Sequence, residues 1–222
     1  MTVGFVFLYI LGGLMIVTSL LILIAKSPRM SAIFYAIQAA LLVVLLFTMA
    51  LTVGSDELWE WGITAVFTKI VFVPLVIFLL VHYLKKIGWD TSADAPPVLK
   101  PWWVILIALV IVGLNFLVTF EVRMPDGSDV KPVLAMGMSI FFIGVLGVVC
   151  YRNLAKLIFA YCIMENSAHM TMAVLSPTAP TLMESGVATD AVFGTIIFAI
   201  LVYRIYKANR SLDSRDLEEL KG

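Results

Sequence analysis

An ionisable side chain lies near the middle of a long apolar stretch, residues 152–175, whose sequence is RNLAKLIFAYCIMENSAHMTMAVL. This side chain is Glu165. A carboxyl group at mid-membrane depth costs several kcal/mol or more unless it is neutral, hydrated or paired, so its presence indicates a functional site. On a helix, Cys162 at i−3 and His169 at i+4 share a face with Glu165. A thiol, a carboxyl and an imidazole on one stripe predict a path along which protons pass.

The same side chains also have a purely structural interpretation. Glu165 could be a neutral carboxyl that hydrogen-bonds a neighbouring helix, and His169 could be a helix-packing donor instead of a proton relay. Desolvation favours the neutral form of a carboxyl and so prepares it to exchange a proton. We therefore favour the functional interpretation for Glu165 and keep both interpretations for His169.

A second acid, Asp190, lies in the next apolar stretch, residues 181–206. If that helix begins directly after Pro180, Asp190 lies about ten positions, or about 15 Å, along it, whereas a start at Gly186 leaves it near the membrane surface. We favour the deeper position and predict that Asp190 belongs to the same path. Glu184 is closer to the outer surface and on a different face, so a solvated helix end is expected there.

A basic residue, Lys69, falls within the apolar run GITAVFTKIVFVPLVIF. In a span that begins near residue 62, it lies about 10 Å from the surface, so its long stem could snorkel to the outer interface. Pro74 follows and leaves the carbonyl group of Ile70 without its helical partner. Irregular backbone at membrane depth is tolerated where it lines a cavity, so a polar site and snorkelling remain equal alternatives for Lys69.

Other polar and aromatic residues are expected to position the helices. Gln38 and Asn115 are predicted to form hydrogen bonds between helices. Tryptophans near the predicted span ends are expected in interfacial belts, because the indole ring has an apolar body and a polar edge. These residues are Trp59 and Trp61 at the outer edge, and Trp89, Trp102 and Trp103 at the inner edge.

The composition defines the class of protein. Of the 222 residues, 62% are hydrophobic and 14% charged, against roughly 45–50% apolar residues in soluble domains. This predicts an all-α, polytopic integral membrane protein. The net charge of zero gives no indication of nucleic-acid binding. Cys150 and Cys162 are too few for a disulfide framework, and no phosphate loop, metal-ligand motif or activated nucleophile occurs, so no catalytic centre is expected in this chain.

The hydropathy pattern predicts seven spanning helices with boundaries uncertain by two to four residues. The first segment has no preceding basic residue and no small-residue cleavage site, so it is expected to be a retained span and not a signal peptide. The predicted spans are residues 3–25, 31–53, 62–84, 102–120, 132–151, 154–176 and 181–206.

Basic residues concentrate on one side of this arrangement. Excess Lys and Arg mark cytoplasmic loops, so the N-terminus is predicted outside and the C-terminus in the cytoplasm. The opposite side has Arg123 and Lys131, and Lys69 is within a span. The basic residues on the predicted cytoplasmic side are Lys26, Arg29, Lys85, Lys86, Lys100, Arg152, Lys156, Arg204, Lys207, Arg210, Arg215 and Lys221.

Five runs of sequence carry a family resemblance. They are KSPRMSAIFYAIQAA, FTKIVFVPLVIF, FAYCIMENSAHMTMAVL, ESGVATDAVFG and the ending SLDSRDLEELKG. With these runs the chain resembles the hydrogenase-4 component E family, membrane subunits of formate hydrogenlyase-type group 4 [NiFe]-hydrogenases, over nearly its whole length.

The last three predicted spans, about 132–222, also resemble the K-type subunit of respiratory complex I and the C-type subunit of multisubunit cation/proton antiporters. In the K family, a span that opens with Arg-Asn-Leu carries one membrane glutamate, and the following span carries another. Asp190 falls at the position of the second acid. Cys162 stands at the position of the first, and Glu165 is one turn later on roughly the same face. Lys69 matches no K-type residue.

The resemblance implies a division into an N-terminal four-helix extension, residues 1–131, and a K-subunit-like three-helix unit, residues 132–222. It implies a multi-pass protein of a prokaryotic cell membrane whose partners include antiporter-like subunits and a complex I subunit 1-like anchor. Peripheral hydrogenase and iron–sulfur subunits would carry the [NiFe] centre and the clusters, and this chain would hold no cofactor. Glu165 and Asp190 would exchange protons, or another ion, along a path coupled to redox chemistry in those partners.

Three alternatives remain at the level of sequence. The chain could be a structural scaffold whose acids pair with basic residues of neighbouring subunits. It could belong to a hydrogenase-related or antiporter complex that lacks the metal site. It could also transport a small solute alone through Lys69 and the Pro74 kink, although it lacks the inverted halves typical of secondary transporters.

Overall fold

The computed structural model describes residues 3–89, 97–122 and 130–217. Within these ranges the chain forms seven long helical spans and a short 3₁₀ turn, Ser214–Leu217. The third span is interrupted by a π-helical segment, Val66–Phe72, between α3 and α4. The helices are α1 (Val3–Ile24), α2 (Pro28–Val53), α3 (Asp56–Ala65), α4 (Val73–Lys86), α5 (Pro101–Glu121), α6 (Lys131–Cys150), α7 (Leu154–Leu175) and α8 (Thr181–Asn209).

The predicted all-helical, multi-pass architecture is confirmed. Six of the spans among the described residues are long and apolar enough to cross a membrane. The remaining span, α7, is also long enough at 22 residues. It is less apolar because it contains Lys156, Glu165, Asn166 and His169. The helix with the predicted path residues Cys162, Glu165 and His169 is therefore also the one least suited to face lipid.

Helix α7 lies inside the bundle, and its main neighbours are α6, α2 and α8. Buried positions occur on every side of it and include polar residues such as Asn166 and Ser167, both 0% exposed. Helix α5 is the opposite case, because it packs mainly on α6 and buries only Val104, Ala108, Asn115 and Thr119. The bundle therefore has a polar centre and an apolar periphery.

Glycines let α6 approach α7 closely. A Cβ atom at Gly144 would lie 3.0 Å from the carbonyl oxygen of Ala160 and 3.1 Å from the backbone nitrogen of Met164. A Cβ atom at Gly147 would lie 2.6 Å from Leu23 Cδ2. Gly144 permits backbone-to-backbone approach, and Gly147 leaves room for the side chains of Leu23 and Ala160, so both glycines serve contacts within the chain.

The loops gather at two ends of the bundle, as the alternating topology predicts. At one end, Val98 N–H donates to the carbonyl oxygen of Cys150, and Leu154 N–H donates to that of Leu212. At the other end, the Ser55 hydroxyl donates to the carbonyl oxygen of Pro177 at 2.6 Å. The end that includes Cys150 also holds the described basic residues assigned to the cytoplasm. Arg123 and Lys221 lie outside the described residues.

Lys156 joins three helices at this basic end. Its ammonium group donates to the carbonyl oxygens of Ile22, Leu23 and Ala25 at 3.3, 3.2 and 2.5 Å, and to the Ser31 hydroxyl at 2.9 Å. The last carbonyls of a helix lack intrahelical partners and carry partial negative charge. Lys156 of α7 therefore caps α1 while it is held against the start of α2.

Two predictions about polar positioning residues differ from the structure. Asn115 donates to the carbonyl oxygen of Ile111 in its own helix, and among the described residues it makes no side-chain bond to another helix. Trp61 is 0% exposed and Trp89 is 6% exposed, whereas Trp59, Trp102 and Trp103 are exposed as interfacial residues would be. The errors about Trp61 and Trp89 arise because hydropathy near a helix end does not reveal which side of the helix another element covers.

The two predicted units share extensive contacts. Helices α1 and α2 pack against α6 and α7, and α4 packs against α8. The division into residues 1–131 and 132–222 stays a prediction.

Candidate functional site

A buried ion pair lies at the centre of the bundle. The Lys69 ammonium group donates to Glu165 Oε2, across 96 positions in the sequence. The Lys69 side chain is 0% exposed and that of Glu165 is 7% exposed. Removing two charges from water is costly, and their mutual attraction repays this cost only with good geometry. A pair in this position is therefore a candidate functional site.

Of the two alternatives for Lys69, the one in which its side chain snorkels to the outer interface is wrong. The sequence prediction began the third span near residue 62, but the helix begins at Asp56. Lys69 is thus 13 residues along the span, about 20 Å from its start, which exceeds the reach of a lysine stem. The complete burial of the side chain agrees with this depth.

The backbone around Lys69 is irregular, as the Pro74 pattern suggested. The segment Val66–Phe72 is π-helical, and Val73 N–H donates to the carbonyl oxygen of Thr68. Pro74 lacks an N–H group for the preceding turn. Single π-helical turns within α-helices frequently occur at functional sites. Here the π-helical segment is the one that presents Lys69 to α7.

The predicted stripe on α7 faces the third span. Cys162 is 2% exposed and lies within electrostatic range of Lys69. His169 is 0% exposed, and its ring packs against Trp61 with the centroids 5.5 Å apart. Within the described chain, neither ring nitrogen of His169 has a hydrogen-bond partner, and neither does Glu165 Oε1. Buried polar atoms are normally satisfied, so these three point to further polar contacts at the site.

A second polar cluster lies behind the stripe. Asn166 donates to Gln38 Oε1 at 3.4 Å, and Gln38 donates to the Ser19 hydroxyl at 2.5 Å. Ser167 donates to the carbonyl oxygen of Gly137 at 2.6 Å. The prediction that Gln38 joins helices is confirmed. These bonds fix α7 against α1, α2 and α6 and so hold Glu165 toward Lys69.

Glu184 is the main site residue that sequence analysis missed. A solvated helix end was expected, but the residue is 1% exposed. Its side chain lies beside Thr64 and within electrostatic range of Lys69. The reason is that α3 begins earlier than predicted and covers the first turn of α8. No sequence signal marked this contact.

Asp190 lies apart from the ion pair. The helix begins at Thr181, so the deeper of the two predicted positions is the observed one. The side chain is exposed on the lateral surface of the chain, on a different face from Glu184. The structure therefore brings together Lys69, Glu165, Cys162 and His169, and leaves Asp190 within electrostatic range of Lys69 but directed outward.

The chain is 36% identical over 212 residues to hydrogenase-4 component E of Escherichia coli strain K12, a match that covers 96% of each chain. The chain belongs to the hydrogenase-4 component E family. The component E proteins of Escherichia coli O157:H7 and Shigella flexneri match to the same extent. The resemblance inferred from the sequence runs is thereby confirmed.

The C-terminal part of the chain also matches a family model. Residues 132–222 match NADH-ubiquinone/plastoquinone oxidoreductase chain 4L. This range contains α6, α7 and α8, as the K-type resemblance predicted. Lys69 and the π-helical segment lie outside the match, and Glu165 and Asp190 lie within it. No solved structure matches the chain.

Proposed function

We propose that this chain is a membrane-arm subunit of an energy-converting group 4 [NiFe]-hydrogenase complex of the formate hydrogenlyase type. In this proposal Glu165, Lys69, Cys162, His169 and Asp190 belong to a path for protons or another ion. The observation that carries the proposal is the buried Lys69–Glu165 pair. Two opposite charges that meet across two spans can be separated and restored by a change of one proton.

The proposed path uses the pair as its central exchange point. Protonation of Glu165 removes its charge and frees the Lys69 ammonium group to interact with other anions. Asp190 lies within electrostatic range of Lys69 and is directed out of the chain, so it would pass the proton toward a neighbouring subunit. Cys162 and His169 lie one turn on either side of Glu165 and would shape the polar line through the membrane.

The redox chemistry belongs to other subunits in this proposal. The [NiFe] centre and iron–sulfur clusters would lie in peripheral partners, while antiporter-like subunits and a complex I subunit 1-like anchor would flank this chain in the membrane. Among the described residues, no group of three or more His, Cys, Asp and Glu side chains could hold a metal ion. The basic end of the bundle would face the cytoplasm of a prokaryotic cell.

The partners can be identified by purification. The complex is extracted in a gentle detergent through a tag at the C-terminus, and the subunits that co-purify are identified by mass spectrometry together with a nickel assay. We expect antiporter-like subunits and a nickel-bearing iron–sulfur arm. Antiporter-like subunits without nickel would contradict the hydrogenase assignment, and recovery of the chain alone would contradict the complex.

The path is tested with the Glu165→Gln variant in the assembled complex, reconstituted into vesicles. Glutamine preserves the size of the side chain but cannot exchange a proton. We expect electron transfer to continue while ion translocation per electron falls at least about tenfold, because a positioned acid–base group contributes roughly 10²–10⁴-fold to the rate of its step. Asp56→Asn, at the exposed first turn of α3, is the matched control and should leave the ratio unchanged.

Two results would contradict the path. Full ion translocation by an assembled Glu165→Gln complex would exclude Glu165 as an exchange point. Loss of assembly with normal translocation in the remaining complex would instead support a structural scaffold.

A further inference from the structure

Glu184 is a buried carboxyl that the proposed path does not use. It lies in the first turn of α8 and is 1% exposed. Helix α8 packs against α3, the π-helical segment and α4, and this packing turns Glu184 toward the third span. Its Oε1 atom has no hydrogen-bond partner in the part of the chain that the structure describes. A buried, half-satisfied carboxyl requires a further partner.

Lys69 is the cation that can serve as this partner. Glu184 and Lys69 lie within electrostatic range of one another, although the ammonium group is bonded to Glu165. Lysine has a four-carbon stem and three rotatable donors, so its head group can move between acceptors. Helix α7 supplies one acid to the space in front of Lys69, and α8 supplies another.

The surroundings of Glu184 accommodate both of its protonation states. The neighbouring Thr64 hydroxyl donates to the carbonyl oxygen of Glu60 at 3.0 Å. A hydroxyl group can donate to a carboxylate or accept from a carboxylic acid. When Thr64 donates to the Glu60 carbonyl, its oxygen can accept the proton of a neutral Glu184. Neither state of Glu184 leaves this contact unsatisfied.

We propose that Glu184 is a second carboxylate partner of Lys69, and that the ammonium group alternates between Glu165 and Glu184. This inference deepens the proposed function and rests on it. It adds a proton-binding site beside Thr64, between the ion pair and the end of the bundle where α3 and α8 begin, opposite the basic end. The path would thus run from the ion pair to Glu184 within this chain, in addition to the outward-facing Asp190.

When the ammonium group moves from Glu165 to Glu184, one proton is taken up and one is released. A proton from water binds Glu165 as its bond to Lys69 breaks, and Glu184 releases its proton to water as it accepts the ammonium group. In the reverse step Glu184 binds a proton and Glu165 releases one. One carboxylate and one ammonium remain charged in both states, so the buried site keeps a constant net charge.

Pairing is tested in the assembled complex with Glu165→Gln, Glu184→Gln and the double variant. Each single variant leaves Lys69 one buried carboxylate, whereas the double variant leaves it only the outward-facing Asp190 within electrostatic range. An uncompensated buried charge is strongly destabilising, so we expect the yield of intact complex to fall at least about tenfold more than the two single losses predict. Adding Lys69→Met to the double variant should restore the yield.

The control replaces the acid at the surface of the same region. Glu165→Gln combined with Asp56→Asn should show additive losses, because Asp56 is exposed. Additive losses in the Glu165→Gln/Glu184→Gln variant as well would overturn the pairing. Failure of Lys69→Met to restore the yield would also overturn it, since the defect would not then come from an unpaired ammonium group.

Alternation is tested by ion translocation in the Glu184→Gln complex. This variant retains the Lys69–Glu165 pair, and we expect translocation per electron to fall at least about tenfold at normal yield. Full translocation would overturn the alternation. If Glu165→Gln abolishes translocation while Glu184→Gln does not, the proposed function stands and this inference fails. If neither variant affects translocation, both fail.

Discussion

Helices α7 and α8 both carry acids, but they meet different surroundings. Helix α7 is covered on all sides, and its acid has a cation from the same chain. Helix α8 is covered on one face, where Glu184 lies, and open on the other, where Asp190 lies among exposed Phe193 and Ile197. The charge of α7 is therefore balanced within the chain. The charge of Asp190 is left for lipid headgroups, water or a neighbouring subunit to balance.

The largest loss in the free energy of unfolding is expected when side-chain volume is added between α6 and α7. At Gly144 a Cβ atom meets backbone atoms of Ala160 and Met164, which cannot rotate away. Gly144→Leu should displace α7 and cost more than about 3 kcal/mol, at or beyond the upper range for overpacking. Thermal unfolding of the purified chain in detergent measures the loss.

Gly186→Leu in α8 is the matched control for this substitution. A Cβ atom at Gly186 meets nothing within 4 Å, so the isolated chain should keep its unfolding temperature. If both variants unfold at the temperature of the parent chain, α7 is not confined as the structure indicates. If only the Gly186→Leu chain fails to enter the complex, the open face of α8 is an interface.

An intermediate loss in the free energy of unfolding is expected when the lysine at the basic end of α7 is replaced, and little loss when the lysine at the basic end of α8 is replaced. Lys156 of α7 caps the carbonyl groups of α1, whereas Lys207 of α8 is exposed. Lys156→Met should lower the free energy of unfolding by about 1–3 kcal/mol, because it leaves buried carbonyl groups unsatisfied. Lys207→Met should change it by less than about 0.5 kcal/mol. Equal losses in chemical denaturation would show that Lys156 is not a cap.

The smallest effect on the isolated chain is expected for Asp190→Asn. The side chain is exposed and makes no described ion pair, so its free energy of unfolding should change by less than about 0.5 kcal/mol. In the assembled complex the same variant should reduce ion translocation severalfold. Unchanged translocation would remove Asp190 from the path, and a large loss of stability in the isolated chain would contradict its exposure.

The sequence was sufficient to predict features that depend on local pattern. The seven spans follow from hydropathy, and the position of Glu165 within its helix follows from the span boundaries. The irregularity near Lys69 follows from Pro74, which acts on the turn immediately before it. The interhelical role of Gln38 follows from the cost of an unsatisfied amide in an apolar helix.

Features that depend on long-range packing could not be predicted in the same way. The partner of Lys69 is 96 positions away, and nothing in either helix specifies the other. Glu184 was assigned to a solvated end because its distance along α8 is short, but α3 covers that end. Lys156 counted only as a cytoplasmic charge, and its contacts with the end of α1 depend on how three helices meet.

The limited hydropathy of α7 has a consequence for biogenesis. Six spans among the described residues are apolar enough to cross a membrane on their own composition, whereas α7 carries Lys156 and Glu165. The groups that neutralise these side chains, the last carbonyls of α1 and the Lys69 ammonium group, belong to spans that the ribosome makes earlier. Helix α7 is therefore expected to leave the translocon alongside the earlier spans, and its stable insertion depends on their having already assembled.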